Sequence, residues 1–151
     1  MVTTADIAAP KKRAKVAVLS ASSEQTGEGE ATKIADGNPD SYWHTRYGRT
    51  GSSFPHSIDF DLVEPTKLSG FTLLPRQDGS ANGRIKTYEI SVSADRKEWK
   101  VVKTGQLANN ASLQTVMFDQ PVTARFVRLT ALSEQRGAAY ASSAEISFII
   151  E

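Results

Sequence analysis

Short segments in which apolar and polar residues alternate, separated by turn residues, constrain this chain more than any other feature. In His56-Ser57-Ile58-Asp59-Phe60-Asp61-Leu62 the apolar Ile58, Phe60 and Leu62 fall at every second position. That period of two belongs to a strand with one buried face. Tyr88-Glu89-Ile90-Ser91-Val92 repeats it, and strand-like runs also occupy 16–19, 68–74, 99–102, 113–118, 126–129 and 146–150. Asp78-Gly79, Asn82-Gly83 and Asn109-Asn110 supply turns between them. Eight short strands with such punctuation predict an all-β sandwich or barrel. No segment sustains a 3.6-residue period with caps, so helices are expected to be few and short.

The length of 151 residues suits one domain with a sizeable core. There is no cysteine, which excludes disulfides, thiolate metal sites and a cysteine nucleophile. In an extracellular protein this points towards a bacterial origin. No apolar run is long enough for a membrane span, and no apolar signal-peptide core is visible near the start. Met-Val-Thr-Thr reads as the start of an excised fragment. Lys11, Lys12, Arg13 and Lys15 against Asp6 leave the first fifteen residues at about +3 and the remainder slightly acidic, since the whole chain carries +1. That is a solvated linker rather than a basic face, so nucleic acid is not an expected partner. Residues 1–14 are assigned to the linker or tail and 15–151 to the domain.

Two long stretches lack a strand signal, 24–55 and 133–143, and long irregular segments in a compact domain are usually functional or held by something. The first contains Asp36-Gly37-Asn38-Pro39-Asp40-Ser41, which packs oxygen donors into a tight turn. Calcium wants six to eight oxygens, backbone carbonyls included. An EF-hand is excluded, because Ser41 and Tyr47 stand where its glycine and its closing glutamate would be. Taken alone, the segment also reads as an ordinary surface turn.

Several motifs together carry a resemblance. Asp36-Gly37-Asn38 through Tyr42-Trp43-His44-Thr45, Pro75-Arg76-Gln77-Asp78-Gly79, Asn82-Gly83-Arg84-Ile85, Arg125-Phe126-Val127-Arg128-Leu129 and Ala144-Glu145-Ile146 stand in the order found in coagulation factor 5/8 type C (discoidin) domains. Over about residues 16–150 the chain is most similar to family 32 carbohydrate-binding modules of bacterial glycoside hydrolases. The resemblance implies a jelly roll of the galactose-binding-domain type, with about eight antiparallel strands. It also implies a structural calcium held by the carbonyls of Lys33, Asn38 and Ala144, the carboxylates of Asp36 and Glu145, and both the hydroxyl and carbonyl of Ser41. Two anionic ligands among neutral oxygens suit a hard cation rather than a transition metal.

A sugar site needs fixed polar groups beside an exposed aromatic ring. By the resemblance, His44 and Arg76 address an axial hydroxyl, Asn82 lies nearby, and Tyr47 and Tyr140 supply aromatic surfaces. Each has a plainer reading. His44 reads also as a core-edge histidine, Arg76 as a partner of Asp78 alone, and Asn82 as a turn residue. Gln77 and Asp78 are lesser candidates for contact. Trp43 and Trp99 are assigned to the core, and His56 to a structural role outside the site.

The implied function is a non-catalytic module that binds terminal galactose-type or N-acetylhexosamine sugars and tethers a parent hydrolase to glycans. That parent would be a hexosaminidase, fucosidase, sialidase or galactosidase. Galactose, N-acetylgalactosamine and N-acetylglucosamine glycans are the expected partners, the domain is expected to be a monomer, and its setting extracellular, cell-surface or periplasmic. Catalysis is disfavoured. No carboxylate pair has a recognisable acid/base arrangement, and two histidines without cysteine leave few candidates for a triad. The alternative is an adhesion domain for a protein or an anionic lipid surface. Lipid binding needs apolar spikes on the loops, and Phe54 is the one obvious candidate.

Overall fold

The computed structural model describes residues 12–48, 51 and 53–150. Its strands are β1 (Ala17–Ala21), β2 (Trp43–His44), β3 (His56–Leu74), β4 (Thr87–Ser93), β5 (Lys100–Gln106), β6 (Gln114–Ala131), β7 (Ser142–Ser143) and β8 (Glu145–Ile150). A 3-10 turn occupies Ala31–Ala35. No helix among the described residues is long and apolar enough to cross a membrane.

Two long bent strands build the sandwich. Residues 56–61 of β3 pair antiparallel with 126–131 of β6, flanked by β1 on one side and by β4, then β5, on the other. The later half of β3 pairs through 70–73 with 114–117 of β6 and on its other edge with β8. Phe60 meets Phe148 at 5.3 Å and Phe71 meets Tyr88 at 5.4 Å, both edge-on, where the two layers face each other. Ile58, Phe60 and Leu62 all point into this core, as their alternation predicts. Asp59 and Asp61 point out and are held bidentate by Arg128 and Arg125.

The segments 56–62 and 68–74, predicted as separate strands, are one continuous strand. The chain turns at Val63, which has φ 76°, while the Asp61 carboxylate accepts from the Val63 amide at 2.8 Å. Pro65 has no N–H to lose, and the register slips between Asp61 and Thr66. The predicted strands at 113–118 and 126–129 likewise join as β6. Conversely, β2 and β7 are two residues each, too short to show any period. Trp43 is fully buried, but Trp99 is not a core residue. It is half-buried on the outer face, with the Arg128 guanidinium 4.1 Å from its ring centroid. The tail assigned to 1–14 is also shortened. Residues 1–11 lie outside the described residues, whereas the Ala14 amide donates to Phe148 and the Ile150 amide to Lys12, which extends the sheet edge.

Candidate functional site

The two irregular stretches are sewn to each other. β2 from the first pairs with β7 from the second, Trp43 opposite Ser143 and His44 opposite Ser142. Thr45 continues the seam: its amide donates to the Ala141 carbonyl and its hydroxyl accepts from the Ala141 amide, both at 2.9 Å. His56, fully buried, donates from Nε2 to the Ala139 carbonyl at 2.6 Å. Tyr140 is therefore pinned through both neighbours. The structural role expected for His56 is this tether.

Around the seam lies an open cleft of about 190 Å³, lined by Glu28, His44, Tyr47, Arg76, Asn82 and Tyr140. All five side chains expected at a sugar site meet here, from segments far apart in the chain. Glu28 was not among them. It sits in the tight turn 25–29, whose Gln25 amide donates to the His44 carbonyl and whose Gly29 carbonyl accepts from the His44 amide. A Cβ on Gly29 would stand 2.5 Å from the His44 Cβ, so only glycine lets the turn press against β2. The glycines on either side of Glu28 were the available signal, and they point to a turn without saying what it touches.

The polar groups of the cleft are already oriented. His44 Nδ1 lies 2.6 Å from its neighbour's carbonyl at Thr45, and a carbonyl only accepts, so Nδ1 carries the proton and Nε2 offers a lone pair. Burial lowers the His44 pKa, outweighing the Thr45 carbonyl and Glu28, which favour the cation. The ring packs against both Tyr47, at 5.0 Å, and Tyr140, at 5.2 Å between centroids, the three rings forming a triangle. Glu28 accepts from the Tyr47 hydroxyl at 2.6 Å and from the Tyr42 hydroxyl at 2.9 Å. The Tyr47 hydrogen bond leads the causes that hold its carboxyl below the usual range.

Arg76 does pair with Asp78, through Nε at 3.2 Å and Nη2 at 2.5 Å, and Nη2 also donates to the Tyr42 hydroxyl. The guanidinium lies 4.1 Å from the Tyr42 ring centroid. These bonds use one edge of the fork and leave Nη1 for a ligand, so the pairing and the cleft role coexist. Asn82 Oδ1 accepts from Arg136 Nη2 at 2.6 Å, which leaves its amide nitrogen as the free end. Gly83, at φ 84°, meets the turn requirement read from Asn82-Gly83. Gln77 faces away, donating to the carbonyls of Pro75 and Ala111.

The calcium candidates are also brought together in part. Asp36 accepts from Ser41 Oγ at 2.5 Å and from the Asn38 amide at 2.9 Å, and the Ser41 hydroxyl lies 3.2 Å from the Asn38 carbonyl. Glu145 from β8 faces Asp36, and its Oε1 is buried with no hydrogen-bond partner. Burial, then the Asp36 carboxylate, push the Glu145 carboxyl up to about 8. Two facing carboxylates, one with a buried oxygen that lacks a hydrogen-bond partner, fit a hard cation. No cluster of three or more His, Cys, Asp or Glu occurs among the described residues, so carbonyls must complete any such shell. Phe54, the expected loop spike, packs against His56 at 4.6 Å and against the core.

Fold and cleft together define a β-sandwich module with an open cleft of polar and aromatic side chains at its loop end. The F5/8 type C domain family model matches residues 18–146. Galactose oxidase of Gibberella zeae is 37% identical over 128 residues, covering 83% of this chain and 18% of that protein. Sialidase of Micromonospora viridifaciens is 36% identical over 138 residues, covering 89% and 21%. The chain thus spans about a fifth of these relatives. Among solved structures, CBM32-5 from Clostridium perfringens, in complex with GalNAc-β-1,3-galactose, superposes with a TM-score of 0.81 at 34% identity, covering 89% of this chain and 94% of that one. The family 32 module of NanJ from C. perfringens, in complex with galactose, gives 0.77 at 32% identity, covering 88% and 92%. The chain belongs to the F5/8 type C domain family. Its fold and relatives match the non-catalytic carbohydrate-binding modules of that family rather than catalytic domains.

Proposed function

We propose that the cleft binds the terminal galactose-type sugar of a glycan, galactose or N-acetylgalactosamine, and so tethers a larger secreted glycan-active protein to its substrate. The convergence of His44, Arg76, Glu28 and Asn82 beside two tyrosines carries this reading. An axial hydroxyl would donate to His44 Nε2 and accept from Arg76 Nη1. Glu28 accepts from a second hydroxyl, and the Asn82 amide donates to a third. Tyr47, 42% exposed, offers its ring to the apolar C–H face. The solved relatives in complex with galactose and with GalNAc-β-1,3-galactose support the sugar class.

Such a shallow site should bind weakly, with a Kd of roughly 0.1–1 mM, or about 4–5.5 kcal/mol. Tethering then raises the local substrate concentration without new chemistry. Calcium would be held by Asp36, Glu145, Ser41 and the carbonyls of Lys33, Asn38 and Ala144. Its charge would relieve the facing carboxylates and clip the early turn to β8. Titration calorimetry with galactose against glucose tests the reading. Binding of galactose alone, abolished in Arg76→Ala and His44→Ala with the fold intact, is expected, and retained binding in both variants would place the site elsewhere.

A further inference from the structure

Tyr42 does not line the cleft, yet it bonds two of the charged groups that do. It is half-buried, next in the chain to the fully buried Trp43. Its hydroxyl donates to Glu28 Oε2 at 2.9 Å and accepts from Arg76 Nη2 at 3.1 Å. The direction of both bonds is fixed. A guanidinium only donates, so the phenol oxygen must accept there, and its single proton is left for the carboxylate. Burial, then the bond to Glu28, push the Tyr42 pKa up, so that proton stays in place at neutral pH. The Arg76 guanidinium also lies over the Tyr42 ring. Asp78 holds Arg76 as well, but it stands two residues along the same turn and fixes the guanidinium only to its own loop. Tyr42 lies 34 residues from Arg76 and 14 from Glu28, so its one hydroxyl ties three separate segments. The other oxygen of Glu28 accepts from Tyr47, whose side chain is exposed.

We infer that Tyr42 is a positioning residue for sugar binding: it sets Glu28 as acceptor and Arg76 as donor at a fixed spacing, so that two sugar hydroxyls meet both at once. The inference rests on the galactose reading of the cleft. Without the hydroxyl, Glu28 keeps the exposed Tyr47 and Arg76 keeps Asp78, but nothing joins the two across the segments.

The test compares the whole chain with Tyr42→Phe, which keeps the ring beneath Arg76, and with Tyr42→Leu, which does not. Galactose affinity is read by NMR shift titration, and the fold by the denaturation midpoint. The titration of the Glu28 carboxyl is followed in the free protein by NMR of its carboxyl carbon. Tyr42→Phe is expected to stay folded and to bind galactose about three- to tenfold more weakly, and Tyr42→Leu more weakly still. The Glu28 carboxyl is held low by Tyr47 first and, against the opposing effect of burial, by Tyr42 next, so its midpoint should rise in both variants. A packing role alone would not move that midpoint in Tyr42→Phe, where the ring remains. Equal galactose affinity in wild type and Tyr42→Phe overturns the positioning role, as does an unmoved Glu28 midpoint, and either leaves the galactose reading standing. An affinity loss that only tracks partial unfolding of Tyr42→Phe overturns it too. A wild-type chain that takes up no galactose overturns the galactose reading, and the positioning of that sugar with it.

Discussion

Glu134 is the residue whose replacement best tests how the site is held. Its side chain is buried, the residue being 3% exposed. Its Oε2 accepts from the Gly83 amide at 3.0 Å, and its Oε1 from the amides of Arg136 and Ala138 at 2.6 and 3.1 Å. One carboxylate thereby joins the turn that carries Asn82 to the loop that carries Tyr140. Glu134→Ala leaves three donors without a partner, of which Gly83 is fully buried and the others partly so. At about 1–3 kcal/mol for each buried orphan, and less where water can reach, the loss should be about 3–5 kcal/mol. Glu134→Gln keeps one oxygen for Arg136 and Ala138 but turns an NH2 towards the Gly83 N–H, for a loss of about 2 kcal/mol.

Chemical denaturation measures the stability loss, and galactose titration on the same samples measures the coupling to the site. Both variants should bind more weakly, because Asn82 and Tyr140 lose their common anchor. A Glu134→Gln protein with the wild-type midpoint and wild-type affinity would refute the clamp. The clamp also has a pH signature. Burial alone would raise the Glu134 pKa, but the Ala138, Arg136 and Gly83 amides and the Arg136 charge lower it below the ordinary 4.5. A depressed carboxylate stabilises the fold above its unfolded pKa and loses that contribution as pH falls through the folded value. The stability gap between wild type and Glu134→Gln should therefore narrow as pH drops below about 4.5.

The His44 pKa is depressed, so sugar affinity should stay flat down to its ordinary 6.5 and weaken at lower pH, once Nε2 gains a proton and ceases to accept. The same group stabilises the fold fully above 6.5 and less as pH falls further, which a pH series of calorimetric titrations and melts would register together. Calcium should raise Tm and a chelator reverse it, whereas Glu145→Gln should respond to neither; a melting temperature blind to chelation in the wild type would count against the clip. Val63 is 59% exposed at φ 76°, a left-handed conformation costly for a β-branched residue. Val63→Asn should stabilise by about 0.5–1 kcal/mol in denaturant titration.

The sandwich was legible because its cause is local. Side chains of a strand alternate between faces, so Ile58, Phe60 and Leu62 announce a buried face whatever they pack against. Asn82-Gly83 likewise announces a turn, because glycine admits the positive φ that the turn needs. The five side chains proposed to meet a sugar were reached through family motifs, and no periodicity singled them out. What remained hidden depends on contacts between distant segments. Glu28 reaches His44 only because Gly29 lets its turn lie on β2, and β2 exists only because β7 pairs with it. The continuity of β3 turns on a bend at Val63 that composition would read as a break. Trp99 is as apolar as Trp43, yet it sits just before the edge strand β5, half-buried beneath the Arg128 guanidinium. Thr45 and Ala141, 96 residues apart, share the seam that sets Tyr140 beside His44. Alternation is a property of neighbouring residues, so the chain carries it openly; a cleft is a property of residues made neighbours by folding.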